Sequence, residues 1–185
     1  MWLWSLAHGY RIGLLLCDIA GAFDRVDSSI LLRKCKEAGI CDTLLNLLED
    51  FFGPRHAEVV VNGARSGRQT IENQVYQGTV FGPPMWNTFF KNSSLPVMQS
   101  GAADAKFADD LTAYQLFPSA VTNDVVLEQL GRCQELVHQW GTEHRVEFDP
   151  AKEKLLVVHR SSPIGETQTH PRRTHRPKAY HGGRD

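Results

Sequence analysis

The segment 102–116 constrains this chain more than any other, because two adjacent carboxylates stand between two apolar stretches. The pattern predicts two short strands with Asp109 and Asp110 at the turn between them. Two like charges so close together repel each other. A bound divalent cation removes that cost, and Mg²⁺ prefers carboxylates together with substrate phosphate oxygens. A solvated turn is the alternative interpretation of the pair taken alone.

A third carboxylate follows an unbroken apolar run over residues 14–17, which ends at Asp18. Such a run is typical of a strand that is buried on both faces. A carboxylate at the end of a buried strand lies where sites in sheet-containing folds are commonly built. If this strand lies beside the 102–116 hairpin, Asp18 converges with Asp109. Three carboxylates could then hold two cations about 3.5–4 Å apart, which is the arrangement that clamps an in-line phosphoryl displacement.

Four short stretches stand in order along the chain: residues 16–26 (LCDIAGAFDRV), 77–87 (QGTVFGPPMWN), 107–110 (FADD) and 148–158 (FDPAKEKLLVV). Together they resemble motifs A, B, C and D of reverse transcriptases, and most closely those of non-LTR retrotransposons and group II introns. Any one of these motifs is a weak signal, whereas four in the same order form a specific one. The resemblance covers residues 11–159.

The resemblance implies an α+β fold, the ferredoxin-like polymerase palm, with an antiparallel sheet and helices on one face. The order of predicted elements agrees with a split βαβ arrangement. On this interpretation residues 1–10 are a remnant of a preceding segment, 11–159 are the palm, and 160–185 are a disordered basic tail. The fingers and thumb of such polymerases are largely missing, so we expect a truncated palm.

Local signals predict the individual elements of this palm. The first strand covers 11–18, and a hairpin at Asn62-Gly63 joins strands 56–62 and 65–72. Residues 92–96 are predicted to break the chain. Helices are predicted over 29–38 (capped by Asp27 or Ser28), 43–52, 85–90, and from Thr122 to a stop at Gly141.

The resemblance also implies roles for single residues. Catalytic roles fall to Asp18, Asp109, Asp110 and Lys152, and the first three would bind metal together with the Ile19 carbonyl. Mg²⁺ is the implied cofactor, with Mn²⁺ as an alternative. The dNTP site would be lined by Phe23, Gln77 and Gly78. An ordinary core phenylalanine remains an alternative for Phe23, and a plain surface lysine remains one for Lys152.

The implied function is that of an RNA-directed DNA polymerase domain of a retroelement. It would transfer a nucleotidyl group from a dNTP to the 3′-hydroxyl of a DNA primer on an RNA template, with activity impaired by truncation. The first alternative is a non-catalytic palm remnant that folds and binds metal or a partner. A second, an RNA-binding module, needs aromatic residues on exposed central strands, and Phe107 with Tyr114 do not form such a set.

The net charge of −1 is unevenly distributed over the 185 residues. Residues 160–185 hold six Lys or Arg and two acids, which gives +4 and leaves −5 for residues 1–159. An acidic body argues against a free-standing nucleic-acid-binding module, because phosphate neutralisation supplies most non-specific affinity. It is compatible with a palm whose basic fingers and thumb belong to a parent protein.

Four cysteines at irregular spacings, with no Cys-x-x-Cys, favour a reducing compartment over a disulfide framework. Cys17 and Cys133 are predicted to be small core residues. We predict no signal peptide, and no apolar run reaches membrane-spanning length. The expected location is intracellular, in nucleus or cytoplasm, within a ribonucleoprotein of the element and without membrane contact.

Overall fold

The computed structural model describes residues 2–71 and 75–160. Short 3₁₀ helices at Ala22–Arg25 and Lys91–Ser93 supplement the main elements. In chain order these are α1 (Trp2–Ala7), β1 (Arg11–Asp18), α2 (Ser28–Glu37), α3 (Asp42–Phe52), β2 (Arg55–Ala57), β3 (Val60–Val61), β4 (Ala64–Arg65), β5 (Gln69–Ile71), α4 (Gly82–Phe90), α5 (Ser94–Gln99), β6 (Ala103–Phe107), β7 (Asp110–Phe117), α6 (Asn123–Glu143) and β8 (Lys154–Val158).

A four-stranded antiparallel sheet in the order β6-β7-β1-β8 forms the centre of the fold. β1 lies between β7 and β8, which explains why its side chains are buried almost throughout. The predicted strand over 11–18 and the α+β fold class are confirmed. The condition set for the predicted site, that this strand lies beside the 102–116 hairpin, is met, because β1 runs beside β7 over its whole length.

The long helix α6 packs closely against one face of the sheet at Gly13. A Cβ atom on this glycine would lie 2.8 Å from Val126 Cγ1 and 3.1 Å from Phe117 Cε2, so a larger residue would push helix and strand apart. Val126 and Leu130 of α6 are buried in this contact. The helix therefore holds the strands in place from behind and leaves the opposite face for other uses.

Among residues 2–71 and 75–160, a helix covers the opposite face of the sheet at one end only. Trp2 of α1 packs edge-on against Tyr114 of β7, with ring centroids 5.5 Å apart. Toward the other end, side chains from the same face line an open cleft of about 420 Å³, among them Leu16, Asp18, Phe107, Asp110 and Thr112. The carboxylate end of the sheet is thus the uncovered end.

The predicted helices are present with shifted ends. Asp27, rather than Ser28, caps α2, because its Oδ1 accepts the Ile30 N–H at 3.0 Å. α4 begins earlier than predicted and contains its prolines in the first turn, where a missing N–H costs nothing. The predicted stop at Gly141 is wrong: α6 continues to Glu143. Gly141 instead permits close packing, since a Cβ there would lie 2.9 Å from the Val146 carbonyl oxygen.

Two further segments differ from expectation or refine it. Residues 92–96 are helical and not an irregular break, because Pro96 lies in the first turn of α5, where proline is tolerated. The Asn62-Gly63 hairpin is confirmed, with positive φ at both residues as a tight turn of this type requires. The two strands predicted around it are each divided in two: residues 56–62 give β2 and β3, and residues 65–72 give β4 and β5. The last predicted position, Glu72, lies outside the described residues. The predicted tail lies outside them from residue 161 onward.

The four cysteines are free thiols, and Cys17 and Cys133 are buried as predicted. Among the helices in the part of the chain that the structure describes, none is both long enough and apolar enough to cross a membrane.

Candidate functional site

Strand register brings two of the predicted carboxylates together. Asp18, the last residue of β1, lies directly opposite Asp110, the first residue of β7. Side chains of directly opposed residues project from the same face with Cβ atoms about 4.5–5.5 Å apart. Asp18 is only 8% exposed, whereas Asp110 is exposed to solvent. One partly desolvated and one solvated carboxylate therefore share the end of the cleft.

The turn between β6 and β7 lies one residue earlier than the sequence predicted. Ala108 and Asp109 form it, and Asp110 already pairs with Phe107 across the hairpin. Ala108 adopts a φ of 53°, a left-handed conformation that is uncommon for residues other than glycine. The shift assigns the two acids different positions, because Asp109 is half-buried in the turn and Asp110 belongs to the strand.

Lys152 binds the innermost carboxylate. Its Nζ lies 2.5 Å from Asp18 Oδ2, with the lysine side chain 63% exposed and the aspartate side chain 12% exposed. The hydrogen bond to Asp18 and the charge of Asp18 raise the pKa of Lys152, and the charges of Asp149 and Asp109 add to the effect. The ammonium group is thus a stand-in cation at the position where a metal would be expected.

The oxygen atoms at this end of the cleft are of the type that binds a divalent cation, although the side chains do not converge on one point. Carboxylate and carbonyl oxygens are the ligands that Mg²⁺ takes in proteins. Over residues 2–71 and 75–160, no group of three His, Cys, Asp or Glu side chains lies in a geometry that could hold a metal ion. Asp18 and Asp110 are brought together by register, while the Asp18 carboxylate is engaged by Lys152. The residues fit a cation by chemistry and by register.

Backbone pairing fixes the end of β1 against the segment before β8. The Asp149 N–H donates to the Asp18 carbonyl at 2.8 Å, and the Ala20 N–H donates to the Glu147 carbonyl at 2.9 Å. Ile19 lies between them, in an antiparallel bridge with Phe148. In such a bridge the N–H and C=O of the central residue point away from the partner strand. The Ile19 carbonyl is therefore directed to the side of β1 where β7 lies, and its role as a ligand stays a prediction.

The loop that carries Lys152 is tied to α6 through the next residue, Glu153. His138 Nε2 lies 2.5 Å from Glu153 Oε1, and Gln134 Nε2 donates to Glu153 Oε2 at 2.9 Å. The Lys152 N–H also donates to the Asp149 carbonyl at 3.1 Å. Sequence reasoning missed this anchor, because nothing local to Glu153 indicates that a helix fifteen residues upstream will supply its partners.

Phe23 lies between the end of β1 and the start of α4. Its ring stacks on Trp86 with centroids 5.5 Å apart, and its carbonyl accepts the Val75 N–H at 2.7 Å. A Cβ on Gly82 would lie 3.6 Å from Phe23 Cε1, so the ring fills the space beside this glycine. Phe23 is half-buried, so one part of it remains accessible.

Gln77 and Gly78 form an exposed turn before α4, with a φ of 79° at Gly78. Thr79 holds this turn, since its Oγ1 donates to the Tyr76 carbonyl and accepts the Gly82 N–H. Among the described residues that line the 420 Å³ cleft are Asp18, Asp110 and Lys152, but neither Gln77 nor Gly78. The structure therefore places Asp18, Asp110 and Lys152 at the cleft, whereas the turn with Gln77 and Gly78 is not part of the cleft lining.

One residue that connects these groups has no role in the sequence prediction. Trp86 of α4 is 1% exposed, and its Nε1–H donates to the Ala108 carbonyl at 2.8 Å. The only sequence signal is that a buried tryptophan usually finds a partner for its N–H. The identity of that partner depends on packing between distant parts of the chain.

Comparison with known proteins gives consistent matches. A family model described as Reverse transcriptase (RNA-dependent DNA polymerase) matches residues 5–176. The chain is 31% identical over 135 residues to the RNA-directed DNA polymerase from mobile element jockey of Drosophila funebris. That alignment covers 70% of this chain and 15% of the relative, so the chain spans a small part of that relative's length.

A solved structure shares the fold. Apo telomerase from Candida tropicalis, truncated from the C-terminal domain, superposes with a TM-score of 0.57 at 10% identity. The match covers 83% of this chain and 32% of the telomerase chain. At this identity the likeness concerns the fold alone.

Proposed function

This chain belongs to the reverse transcriptase (RNA-dependent DNA polymerase) family, and we propose on that basis that it carries the nucleotidyl-transfer centre of a retroelement polymerase. The reaction is attack of a DNA primer 3′-hydroxyl on the α-phosphate of a dNTP, directed by an RNA template. The single observation that carries the proposal is the alignment of Asp18 with Asp110 across β1 and β7, with the Lys152 ammonium on Asp18.

In this proposal the acids of the cleft end hold divalent cations, Mg²⁺ or Mn²⁺. Asp18, Asp109 and Asp110 supply carboxylate oxygens, and the Ile19 carbonyl adds a backbone oxygen. Bound cations neutralise phosphate charge and favour ionisation of the attacking hydroxyl. Asp18 is much less exposed than Asp110. Because a desolvated carboxylate holds a cation more strongly than a solvated one, Asp18 would be the stronger ligand of the two.

The other predicted residues bind and orient the nucleotide. The accessible part of Phe23 forms a floor for the sugar, and its support by Trp86 and Gly82 keeps the ring in place. Gln77 and Gly78 border the nucleotide from the turn before α4. Lys152 holds a proton at its Nζ close to the acids, and so it can donate to the departing pyrophosphate once it leaves Asp18.

The proposed partners are an RNA template, a DNA primer and dNTPs, with fingers and thumb lobes provided by the parent protein. An acidic body of −5 supports this division, because a surface of that charge needs basic elements from elsewhere to hold a duplex. The proposed location is the nucleus or cytoplasm, within the ribonucleoprotein of the element. The domain boundaries proposed for this chain remain 1–10, 11–159 and 160–185.

Two measurements test the proposal, one on this chain and one in a polymerase completed with fingers and thumb lobes. Mn²⁺ should raise the melting temperature of the wild type by mass action, and Asp109→Asn should abolish the rise. The matched control Asp50→Asn, an exposed acid on α3, should respond as the wild type does. In a polymerase completed with fingers and thumb lobes, templated extension of a DNA primer on RNA should be present and should be lost in Asp109→Asn.

The outcomes separate the proposal from its alternative. A metal response that depends on Asp109, without any primer extension, would favour a non-catalytic palm that binds metal or a partner. Equal responses of wild type and Asp109→Asn to Mn²⁺ would contradict the metal site itself.

A further inference from the structure

We infer that Trp86 is a positioning residue that fixes the carboxylate turn between β6 and β7 through its indole N–H. The inference rests on the proposed function of Asp109 and Asp110, and it deepens it by naming what holds them. Trp86 touches no reacting group. It acts by fixing the backbone from which these acids project.

The first step of the argument is the contact itself. Trp86 Nε1–H donates to the carbonyl of Ala108 at 2.8 Å. Ala108 is the residue with positive φ, directly before Asp109. A non-glycine residue in this conformation costs free energy and persists when its surroundings hold it. The indole holds the peptide group that joins Ala108 to Asp109, and so limits the orientations available to that acid.

The second step is the rigidity of the donor. The Trp86 ring stacks on Phe23 at 5.5 Å and on Phe90 at 5.2 Å, so it cannot rotate away from the turn. The far end of α4 is fixed by two lysines. Lys34 donates to the Phe89 carbonyl, and Lys106 donates to the Phe90 carbonyl at 3.1 Å. A helix held at its end and a ring stacked on two other rings form a stiff support.

The third step separates positioning from packing. A buried phenylalanine in place of Trp86 would keep the contacts with Phe23 and Phe90 but lose the N–H. Ala108 is exposed, so water can replace the lost donor at its carbonyl. The fold should therefore survive this change while the turn becomes looser. The same tryptophan also touches the proposed sugar floor, so one side chain joins the two halves of the site.

The test compares Trp86→Phe with Trp140→Phe in the whole chain. Trp140 is also buried, also packs on Phe90, and also donates its indole N–H, here to Asn92 Oδ1 at 3.3 Å. It lies away from the turn, so it controls for loss of ring area and of one hydrogen bond. A second variant carries 3-benzothienylalanine at position 86, which keeps the bicyclic ring and replaces the N–H by sulfur.

Two readouts decide the outcome. Mn²⁺ binding, followed by electron paramagnetic resonance, should weaken about fivefold in Trp86→Phe and in the benzothienyl variant, a change of about 1 kcal/mol that matches one net neutral hydrogen bond. Trp140→Phe should bind Mn²⁺ as the wild type does. Backbone amide exchange at Asp109 and Asp110 should be faster in the two position-86 variants than in Trp140→Phe.

Failure of this inference and failure of the proposed function are distinguishable. Equal Mn²⁺ affinity and equal amide exchange in the position-86 variants and Trp140→Phe would overturn the role of Trp86. If the wild type bound Mn²⁺ no better than Asp109→Asn, the proposed metal site would fail. The amide exchange would still decide whether Trp86 holds the turn.

Discussion

Two lysine ammonium groups of this protein are held in opposite ways. Lys152 lies at the surface, and its partner is the nearly buried carboxylate of Asp18. Lys34 of α2 is buried, and its hydrogen-bond partners among the described residues are uncharged, namely the Phe89 carbonyl and Asn92 Oδ1. One lysine is an exposed cation on a buried anion, whereas the other is a buried cation on dipoles.

The two environments move the lysine pKa values in opposite directions. The hydrogen bond and charge of Asp18 raise the pKa of Lys152. Burial lowers the pKa of Lys34 to about 7, and the charges of Arg33 and Lys106 add to the shift. Metal ions and solvent can reach an exposed cation and replace it. A buried cation at the C-terminal carbonyls of a helix is structural, because it satisfies groups that the helix leaves unpaired.

The largest effect should come from removing the Asp18 carboxylate, the anion that pairs with the exposed Lys152. Asp18→Asn takes away the proposed metal ligand and the partner of Lys152 together. Primer extension should fall by about 10³-fold or more, because metal stabilisation of transition-state charge is worth several kcal/mol and each ~1.4 kcal/mol is tenfold. Templated extension on RNA, in a polymerase completed with fingers and thumb lobes, measures the loss.

Asp27→Asn is the matched control for Asp18→Asn. Asp27 is likewise a buried acid paired with a cation, since Arg145 Nη1 lies 2.5 Å from its Oδ2. It caps α2, and asparagine caps helices about as well as aspartate. The control should lose some stability and keep its activity. Equal activity losses in both variants would show that any buried ion pair matters and would remove the special role of Asp18.

The next largest effect concerns the buried Lys34 and appears as a pH dependence of stability. The pKa of Lys34 is lowered from 10.5 to about 7 on folding. Between these values the unfolded chain holds a proton on Lys34 that the folded chain does not, so the contribution of Lys34 to stability rises with pH. The slope approaches about 1.4 kcal/mol per pH unit, and it vanishes below pH ~7, where both states are protonated.

Urea unfolding of the reduced protein at pH 7, 8 and 9 measures this slope. Lys34→Met keeps most of the side-chain volume and removes the titrating group, so the wild type should gain stability relative to this variant as the pH rises. The buried thiols of Cys17, Cys35 and Cys133, whose pKa values burial raises, contribute to both proteins and cancel in the comparison. Lys152→Met should leave the rise unchanged, because the raised pKa of Lys152 places its own contribution above this range. Parallel curves for wild type and Lys34→Met would show that the buried lysine does not titrate there.

The contrast between the two lysines also shows what the sequence could predict. Asp18, Asp109, Asp110 and Lys152 stand in short local motifs, so the sequence alone could name them as candidates. The apolar run over residues 14–17 predicted a buried strand, whereas the pairing of β1 with the 102–116 hairpin was only a condition for the predicted site. The position of the turn was wrong by one residue, because Ala108 adopts a positive φ that its side chain does not favour. Local propensity cannot indicate such a conformation when a distant tryptophan stabilises it.

The supporting contacts could not be predicted, since each joins residues far apart in the chain. Lys34 meets Asn92 across 58 positions, and Trp86 meets Ala108 across 22. A lysine in a helical pattern predicts a solvated face far more often than a buried one. Only the packing of α2 against the end of α4 shows that Lys34 is inside. The residues proposed for the chemistry therefore lie in short local motifs, whereas the contacts that support them join distant parts of the chain.

The smallest effect should come from removing the exposed cation itself. Lys152 engages a carboxylate that the proposed metal also needs, so the two cations compete for Asp18. Lys152→Met should therefore tighten Mn²⁺ binding in the absence of nucleotide, by about two- to fivefold, as expected for a solvated ion pair.

Lys154→Met is the matched control, because Lys154 lines the same cleft and carries the same charge without an ion pair to Asp18 among the described contacts. Its effect should be smaller than that of Lys152→Met, and equal effects would mean that general charge, rather than competition at Asp18, governs the affinity. Weaker Mn²⁺ binding in Lys152→Met would show that the lysine shapes the metal site instead of competing for it. The exposed cation would then be structural, as Lys34 is, and the comparison between the two lysines would fail.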